Sequence, residues 1–195
     1  MSKAANTRIE ILGKAFGLVY RNGFQATSVD DIIATTKVTK GAFFYHFKNK
    51  EDMGLAMIQE VMYPGMHQVM VEPLINAENP VAEIYSMMKH LLIQSPLFDV
   101  KYGCPAVNLI EEMSPLNESY KTALLKLVQE WQLAIEKCVR NGKANGAVRQ
   151  DVDPKQVAYF VTAGYNGIRS MGKVLGPGCY KVYLQELKKY LGQLR

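Results

Sequence analysis

Apolar residues recur every three or four positions along nearly the whole chain, and this spacing predicts an all-helical protein. In the first helix the apolar positions are Ile9, Leu12, Ala15, Phe16, Val19 and Tyr20. Gly23 follows that helix at a position where glycine commonly ends helices. Further helical segments are predicted near residues 50–72, 81–95, 104–113, 116–141, 153–175 and 178–193. Prolines such as Pro64 lie at or near the breaks, and residues 140–154 are predicted as a loop with Gly142 and Gly146 in its turns.

Two short helices are predicted between residues 27 and 47, with the spacing of a helix-turn-helix. Thr27 or Ser28 can accept a backbone N–H at the start of the first short helix. Thr39 stands in the same position before the second one. The tight turn between the two helices falls around Lys37.

The second short helix mixes aromatic and basic residues, in the sequence KVTKGAFFYHFKNKED at residues 37–52. Phe43 and Phe47 are four residues apart and are expected to pack inward. Lys40 and Phe44, also four apart, then project outward, where the major groove of DNA offers base edges. Aromatic rings and lysines occur together because one face of the helix packs in the protein core and the other faces a polyanion.

The positive charge is concentrated at the N-terminal end of the chain. Residues 1–50 carry eight Lys or Arg and three Asp or Glu, whereas residues 51–195 carry fifteen of each, so the net charge of +5 belongs to the first quarter. A basic segment beside a neutral remainder is typical of a protein that binds a polyanion. On charge alone, a merely solubilising basic face is an equal alternative.

The remaining composition is that of a soluble globular protein, with 48% hydrophobic and 21% charged residues. No apolar run approaches the roughly 20 residues of a membrane span, and charged residues interrupt the N-terminal stretch, so neither a membrane protein nor a secreted protein is expected. The three cysteines, an odd number, favour the reducing cytoplasm over a disulfide framework.

The sequence TSVDDIIATTKVTKGAFFYHFKNKEDM resembles the helix-turn-helix signature of the TetR family of bacterial repressors. The resemblance covers about residues 8–55 and includes Gly23, Phe24, Thr27, Val29, Ile32, Val38, Lys40, Gly41, Tyr45, His46, Phe47, Lys50 and Glu51. It implies an all-α dimer of about nine helices per chain, with a helix-turn-helix DNA-binding domain at residues 1–50 and a ligand-binding and dimerisation domain at residues 51–195. Lys37 departs from the family's usual glycine, which predicts a modest left-handed backbone strain or an added phosphate contact. Phe44 also departs, so the family's base preference does not transfer.

The resemblance also implies particular DNA contacts. The phosphate contacts fall on Thr27, Tyr45, His46 and Lys50, and the base-proximal positions are Thr39, Lys40, Gly41, Ala42 and Phe44. Lys40 can donate to guanine, and Ala42 or Phe44 can contact a thymine methyl group. The implied partner is an inverted repeat in double-stranded DNA, because a two-fold dimer presents two recognition helices.

The last two predicted helices have the features of a dimer interface. Small residues at positions 163, 164 and 167 allow another helix to approach closely, at a cost in helix propensity. The family dimerises through its last two helices, and the candidate interface residues here are Phe160, Val161, Gly164, Gly167, Ile168, Met171, Tyr183 and Leu187. An internal core stripe is the alternative for each of them.

Methionine and aromatic residues are candidates for an adaptable apolar pocket that binds a small apolar or aromatic effector. They are Met62, Met66, Met88, Phe98, Tyr102, Cys104, Met113, Trp131 and Tyr165. Plain core packing is the alternative for each position. Cys104 lies in the sequence YGCPAVNLIEE, which resembles a stretch through which certain family members sense electrophiles. A silent, half-buried thiol is the competing interpretation of Cys104.

An enzyme is the competing class of protein, and the sequence offers it little support. The three histidines have no metal-ligand spacing, no C-x-x-C pair occurs, and no glycine-rich phosphate loop is present, so no metal or cofactor is expected. A thiol-dependent small-molecule-binding protein or enzyme that uses Cys104 stays open as the alternative. The sequence as a whole predicts a ligand-responsive repressor that binds a palindromic operator as a dimer and is released by a small-molecule inducer.

Overall fold

The computed structural model describes residues 3–195, with side chains from residue 4, and these residues form helices without a β-strand. The α-helices are α1 Lys3–Asn22, α2 Val29–Ala34, α3 Lys40–His46, α4 Lys50–Met57, α5 Tyr63–Met70, α6 Pro80–Lys89, α7 Pro105–Met113, α8 Glu118–Ala144, α9 Pro154–Leu175 and α10 Gly178–Gly192. Shorter helical pieces are the π-helical turns Ile58–Met62 and His90–Gln94 and the 3₁₀ turn Glu72–Leu74. The predicted all-helical fold is confirmed.

The chain forms two compact units. The first unit extends to Gly65 and includes Asn108–Leu125, and the second comprises Met66–Val107 and Lys126–Arg195. α4 therefore belongs with α1 to α3, so the division in the structure does not fall at the predicted boundary between residues 50 and 51. Tyr120 illustrates the reason, because it is fully buried in the first unit and its hydroxyl donates to the Glu51 carbonyl at 3.2 Å.

Single residues fix the ends of the short N-terminal helices. Ser28 begins α2 in a reciprocal cap: its hydroxyl accepts the Asp31 N–H at 3.0 Å, and the Asp31 carboxylate accepts the Ser28 N–H at 2.8 Å. The Ser28 side-chain and backbone hydrogen bonds lower the pKa of Asp31. Thr39 caps α3 as predicted, and Gly23 leaves α1 with a φ of 90°. Among the described residues only glycines have positive φ, so the left-handed strain expected at Lys37 is absent.

Pro64 lies inside a helix rather than at a break. Proline lacks an N–H and its ring crowds the carbonyl four residues earlier, so a regular α-helix does not pass through it without adjustment. Here the π-helical turn Ile58–Met62 widens the helix just before the proline, and the Tyr63 N–H donates to the Ile58 carbonyl. The predicted helical segment 50–72 is consequently almost continuous from α4 to α5.

The loop predicted at residues 140–154 begins later than expected. α8 continues to Ala144 and includes Gly142, which the sequence predicted as a turn residue. A Cβ atom at position 142 would lie only 2.3 Å from Pro80 Cγ, so the absent side chain allows α8 to approach the start of α6 closely. Gly146, with a φ of 80°, is a turn residue as predicted.

The second unit is organised around α9 and α10, which pack against each other, with α6 against α10. The buried residues of these two helices include Val157, Val161, Tyr165, Ile168, Tyr180, Leu184, Leu187 and Leu191. No helix in the described part of the chain is both long and apolar enough to cross a membrane.

Candidate functional site

The recognition-helix candidate α3 has one packed face and one exposed face. Phe43 and Phe47 are buried, with ring centroids 5.5 Å apart, as their spacing predicted. Phe44 and Tyr45 are 48% and 79% exposed. A short helix that is anchored on one side and presents aromatic rings beside lysines on the other is suited to the major groove of DNA.

The predicted base-proximal residues lie at the start of α3. Thr39, Lys40 and Gly41 are exposed, and Ala42 is half-buried. The Thr39 hydroxyl accepts the Ala42 N–H at 3.2 Å, and the Lys40 ammonium pairs with Asp30 of α2 at 2.9 Å. Both partners of that pair are mostly exposed, and such pairs contribute about 1 kcal/mol or less. An acceptor on DNA can therefore compete for Lys40.

Two of the residues predicted to contact phosphate, Thr27 and Lys50, make hydrogen bonds within the protein in this structure. The Thr27 side chain is buried, and its hydroxyl donates to the Gly23 carbonyl at 2.7 Å. The Lys50 ammonium donates to the carbonyls of residues 24, 25 and 27 at 3.1, 3.4 and 3.2 Å. Because an ammonium has three N–H donors, these carbonyls occupy all of them. Both side chains stabilise the loop between α1 and α2, residues 23–28, which we call the α1–α2 loop.

Tyr45 and His46 keep positions compatible with the predicted phosphate contacts. Tyr45 is exposed and His46 is half-buried, and their rings meet edge to face with centroids 5.0 Å apart. A phenol and an imidazole at the end of a recognition helix can both donate to phosphate oxygens. The contacts themselves stay predictions.

Arg8 of α1 contributes to the site although no sequence pattern singled it out. Its Nη1 donates to the His46 carbonyl at 3.0 Å, and its Nε and Nη2 donate to Glu60 at 3.1 and 2.6 Å. Its Cζ also lies 4.5 Å from the centroid of the Phe47 ring. The hydrogen bond to Glu60 raises the pKa of Arg8. Arg8 thus holds the C-terminal end of α3 in place.

Glu112 of α7 is a second residue that sequence reasoning missed. Its carboxylate accepts the Phe24 N–H at 2.9 Å and the Gln25 N–H at 2.7 Å. Glu112 therefore binds two N–H groups of the α1–α2 loop, and Lys50 binds three of its carbonyls. The partners are 87 and 88 residues apart in sequence, so no local pattern reveals them.

The candidate dimer-interface residues divide between the surface and the interior of the second unit. Phe160 and Met171 are 49% and 54% exposed, and Gly167 is exposed with open space beside it. Val161, Ile168 and Leu187 are buried within the same chain, so their side chains are not available to a partner.

Gly164 and Tyr183, both half-buried, pack against each other within the chain, and their contact with a partner stays a prediction. A Cβ atom at Gly164 would lie 2.3 Å from the Tyr183 hydroxyl. The missing side chain therefore lets α10 approach α9. Exposed apolar residues that extend the outer surface of α9 are Val174 and Leu175.

The nine candidate ligand residues fall into both units. Met62 and Met113 belong to the first unit, and the other seven belong to the second. Met66 and Met88 are buried and Tyr102 is half-buried, which plain packing also explains.

Three of the predicted ligand residues meet in the interior of the second unit. The rings of Trp131 and Tyr165 meet edge to face with centroids 5.2 Å apart. Burial raises the pKa of Tyr165, and the Cys104 thiol beside it adds to that rise. Among residues 4–195, no group of His, Cys, Asp and Glu side chains is arranged to hold a metal ion.

A buried arginine lies next to this group and was missed in the sequence. Arg169 is fully buried, its Nη2 donates to the Gly103 carbonyl, and the rings of Phe98 and Tyr180 each lie 5.5 Å from its Cζ. A signal was present, because Arg169 interrupts the apolar stripe of α9 four residues after Tyr165.

A basic helix-turn-helix with an exposed recognition helix, in one chain with a second helical unit, defines a DNA-binding regulator. The family model for bacterial regulatory proteins of the tetR family matches residues 11–57, and the model for the Tetracyclin repressor-like C-terminal domain matches residues 92–180. The chain belongs to the TetR family of bacterial transcriptional regulators.

Individual relatives agree with this assignment. The HTH-type transcriptional repressor DhaR of Mycobacterium sp. strain GP1 is 28% identical over 160 residues, which is 82% of this chain and 79% of DhaR. The crystal structure of the reduced form of Escherichia coli NemR has a TM-score of 0.83 and 26% identity, and the similarity covers 94% of this chain and 96% of that one. A TetR regulator from Chloroflexus aurantiacus shares the fold, with a TM-score of 0.89 and 24% identity over 99% of this chain and 98% of that one.

Proposed function

We propose that this protein is a repressor that binds an inverted-repeat operator as a homodimer, releases it on binding a small-molecule effector, and catalyses no reaction. The exposed face of α3 is the observation that carries the proposal, because Lys40, Phe44 and Tyr45 project from a helix whose other face is anchored by Phe43 and Phe47. The protein acts in the cytoplasm, where bacterial DNA lies. Two of its relatives, DhaR and NemR, are named as repressors.

The DNA bases are recognised mainly by residues of α3. Lys40 donates to a guanine edge once DNA displaces Asp30, and Phe44 contacts a thymine methyl group. Tyr45 and His46 bind the flanking phosphates and set the register of the helix on the duplex. Lys50 contributes indirectly, by holding the α1–α2 loop that leads into α2.

Dimerisation occurs through the outer surface of α9, with Phe160, Gly167 and Met171 in the contact. Exposed apolar side chains along one helix are costly in water and are typical of a surface that another subunit covers. A two-fold dimer has two recognition helices, which we expect to meet half-sites about one helical turn of DNA apart, or slightly more.

The thiol-dependent alternative has weaker support. Cys104 is 1% exposed. The thiol is packed in the interior of the second unit, as inert structural cysteines are.

Selection of bound fragments from a genomic DNA library tests the proposal. We expect the wild-type protein to enrich fragments that share one inverted repeat. The control is Lys40→Glu, which changes an exposed side chain and leaves the core of the first unit intact, and it should enrich no common sequence. Fragments recovered by the wild type without any shared repeat would contradict a sequence-specific repressor.

A further inference from the structure

The interior of the second unit contains a group of hydrogen-bond donors without acceptors. The unpaired atoms are Nε and Nη1 of Arg169 and Nε1 of Trp131. The hydroxyls of Tyr165 and Tyr180 make no hydrogen bond of good geometry, although Cys104 lies near the first and Arg169 near the second. All four side chains are buried, with at most 6% of their surface exposed. Buried polar groups are nearly always paired with protein or ordered water, so several unpaired donors in one place form a site for an acceptor that the described residues do not supply.

These donors lie close to one another. Trp131 meets Tyr165 edge to face, and the Tyr180 ring lies beside the Arg169 guanidinium. Burial raises the pKa of both tyrosines, and the charge of Arg169 opposes that rise in each, as expected for neighbouring groups. Both tyrosines are therefore near the guanidinium, and Trp131 lies next to one of them.

Arg169 has the geometry to hold an anion. Of its five N–H donors, one binds the Gly103 carbonyl, and no acidic side chain among residues 4–195 forms an ion pair with it. Whichever hydrogen of Nη2 the carbonyl accepts, Nη2 and either Nε or Nη1 keep two adjacent free donors. Two parallel N–H groups match the two oxygens of a carboxylate.

We propose that Arg169 binds the carboxylate of a small organic acid, with the hydroxyls of Tyr165 and Tyr180 as further donors. The rings of Phe98 and Trp131 contact the apolar part of the acid. A single guanidinium balances a monoanion such as a carboxylate, whereas a phosphate ester carries close to two charges. Any effect of the acid on DNA release rests on the function proposed above, but its binding does not.

A purely structural role for Arg169 makes a different prediction. If its purpose were to hold the Gly103 carbonyl and the two aromatic rings, a neutral replacement would lower the stability of the ligand-free protein. A buried guanidinium without an anionic partner instead lowers the stability of the ligand-free protein. Replacing it with a neutral side chain is then neutral or stabilising. We expect ligand-free Arg169→Gln, which can still donate to Gly103, to melt at or above the wild-type temperature.

Calorimetric titration of the full-length protein tests the site at constant ionic strength. The probes are benzoate and propanoate, with benzamide and propanamide as neutral analogues of the same shape. We expect at least one acid to bind about tenfold or more tightly than its amide, because hydrogen bonds to charged groups are the stronger ones. Arg169→Gln should lose this preference, and Tyr165→Phe should weaken it partly.

The control variant is Arg140→Gln, which removes a mostly exposed arginine of the same unit and should keep the preference for the acid. If Arg169→Gln does not fold, Arg169→Lys replaces it, because lysine keeps the charge but lacks the two parallel N–H donors of the guanidinium. This variant should bind the acid about tenfold more weakly than the wild type. The proposal is overturned if neither acid binds, if acid and amide bind equally, if Arg169→Gln keeps the preference, or if inorganic phosphate binds more tightly than both acids.

The site and the proposed repressor function fail in different ways. Acid binding that leaves operator affinity unchanged supports the site and contradicts an effector role for the acid. Operator release by uncharged compounds, in a protein that binds neither acid, supports the repressor and overturns the site.

Discussion

Lys40 is the side chain from which we expect the most sequence discrimination, and in the absence of DNA it is paired with Asp30. The pair is 2.9 Å long and mostly exposed, so salt screens it and little free energy is needed to break it. Asp30 also brings a negative charge close to the surface that meets phosphate. We therefore expect Asp30 to oppose DNA binding, both by holding Lys40 and by repelling phosphate.

The two members of this pair should respond oppositely to mutation. Lys40→Ala should relax the preference at one base pair, with a loss of about 1–3 kcal/mol of discrimination. Asp30→Asn should strengthen binding to matched and mismatched sites alike, because it frees Lys40 and removes a repulsive charge. Titrations with the intact operator and with single mismatches distinguish the two effects. An equal loss of affinity for every sequence in Lys40→Ala would show that Lys40 binds phosphate instead.

Lys50 should behave as a structural residue, since its three donors are all used on backbone carbonyls. We expect Lys50→Ala to lower the local stability of the α1–α2 loop by about 1–3 kcal/mol, which faster hydrogen exchange at the Thr27 amide would measure. Lys48→Ala is the matched control, because Lys48 is exposed and carries the same charge. If Lys50 instead binds phosphate, its loss leaves exchange unchanged and lowers the slope of log affinity against log salt by about 1.8 per dimer.

At the scale of helices, the surface of α9 can be tested at a glycine that has no role inside the chain. Gly167 is exposed and a Cβ there meets nothing within 4 Å, so Gly167→Arg should leave the subunit folded but convert dimers to monomers with weak operator binding. Light scattering measures the change in mass. Gly192→Arg, at another open glycine, is the control and should stay dimeric. A dimeric Gly167→Arg would place the interface elsewhere.

Gly164 is unsuitable for the same test, although the sequence alone makes the two glycines look equivalent. Substitution there would push against the Tyr183 hydroxyl and disturb the packing of α9 on α10 in each subunit. A monomer obtained in this way would report misfolding of the second unit rather than the position of the interface.

The helices themselves were predictable because their signals are local. A capping hydroxyl at Ser28 or Thr39, and the four-residue spacing of Phe43 and Phe47, act within one or two turns of chain. The roles of Lys50 and Glu112 were not predictable, because their partners are more than twenty residues away and are backbone groups that every residue has. Periodicity likewise identifies an apolar face without saying whether the same chain or a second one covers it, as Ile168 and Leu187 show.

At the scale of the whole molecule, α7, like α5 and α8, has residues in both compact units. Its start, Pro105, lies two residues after Gly103, whose carbonyl Arg169 binds. Near its end, Glu112 holds the N–H groups of the α1–α2 loop. We therefore expect an effector that changes the hydrogen bond between Arg169 and Gly103 to act on DNA binding through α7.

Thermodynamic linkage limits how far an effector can lower operator affinity. An effector that lowers operator affinity by a given factor must itself be bound more weakly by the same factor when operator is present, typically 5- to 150-fold, or about 1–3 kcal/mol. We expect Glu112→Gln to reduce that factor without changing effector affinity in the absence of DNA, because the amide keeps one acceptor but turns a donor toward the second N–H. Glu111→Gln, at the exposed neighbour, is the control. The measurements are effector affinity with and without operator, and operator affinity with and without effector, for each variant. Equal coupling in Glu112→Gln and the wild type would exclude the end of α7 as the connection, because the effector would then be acting on DNA binding through some other element.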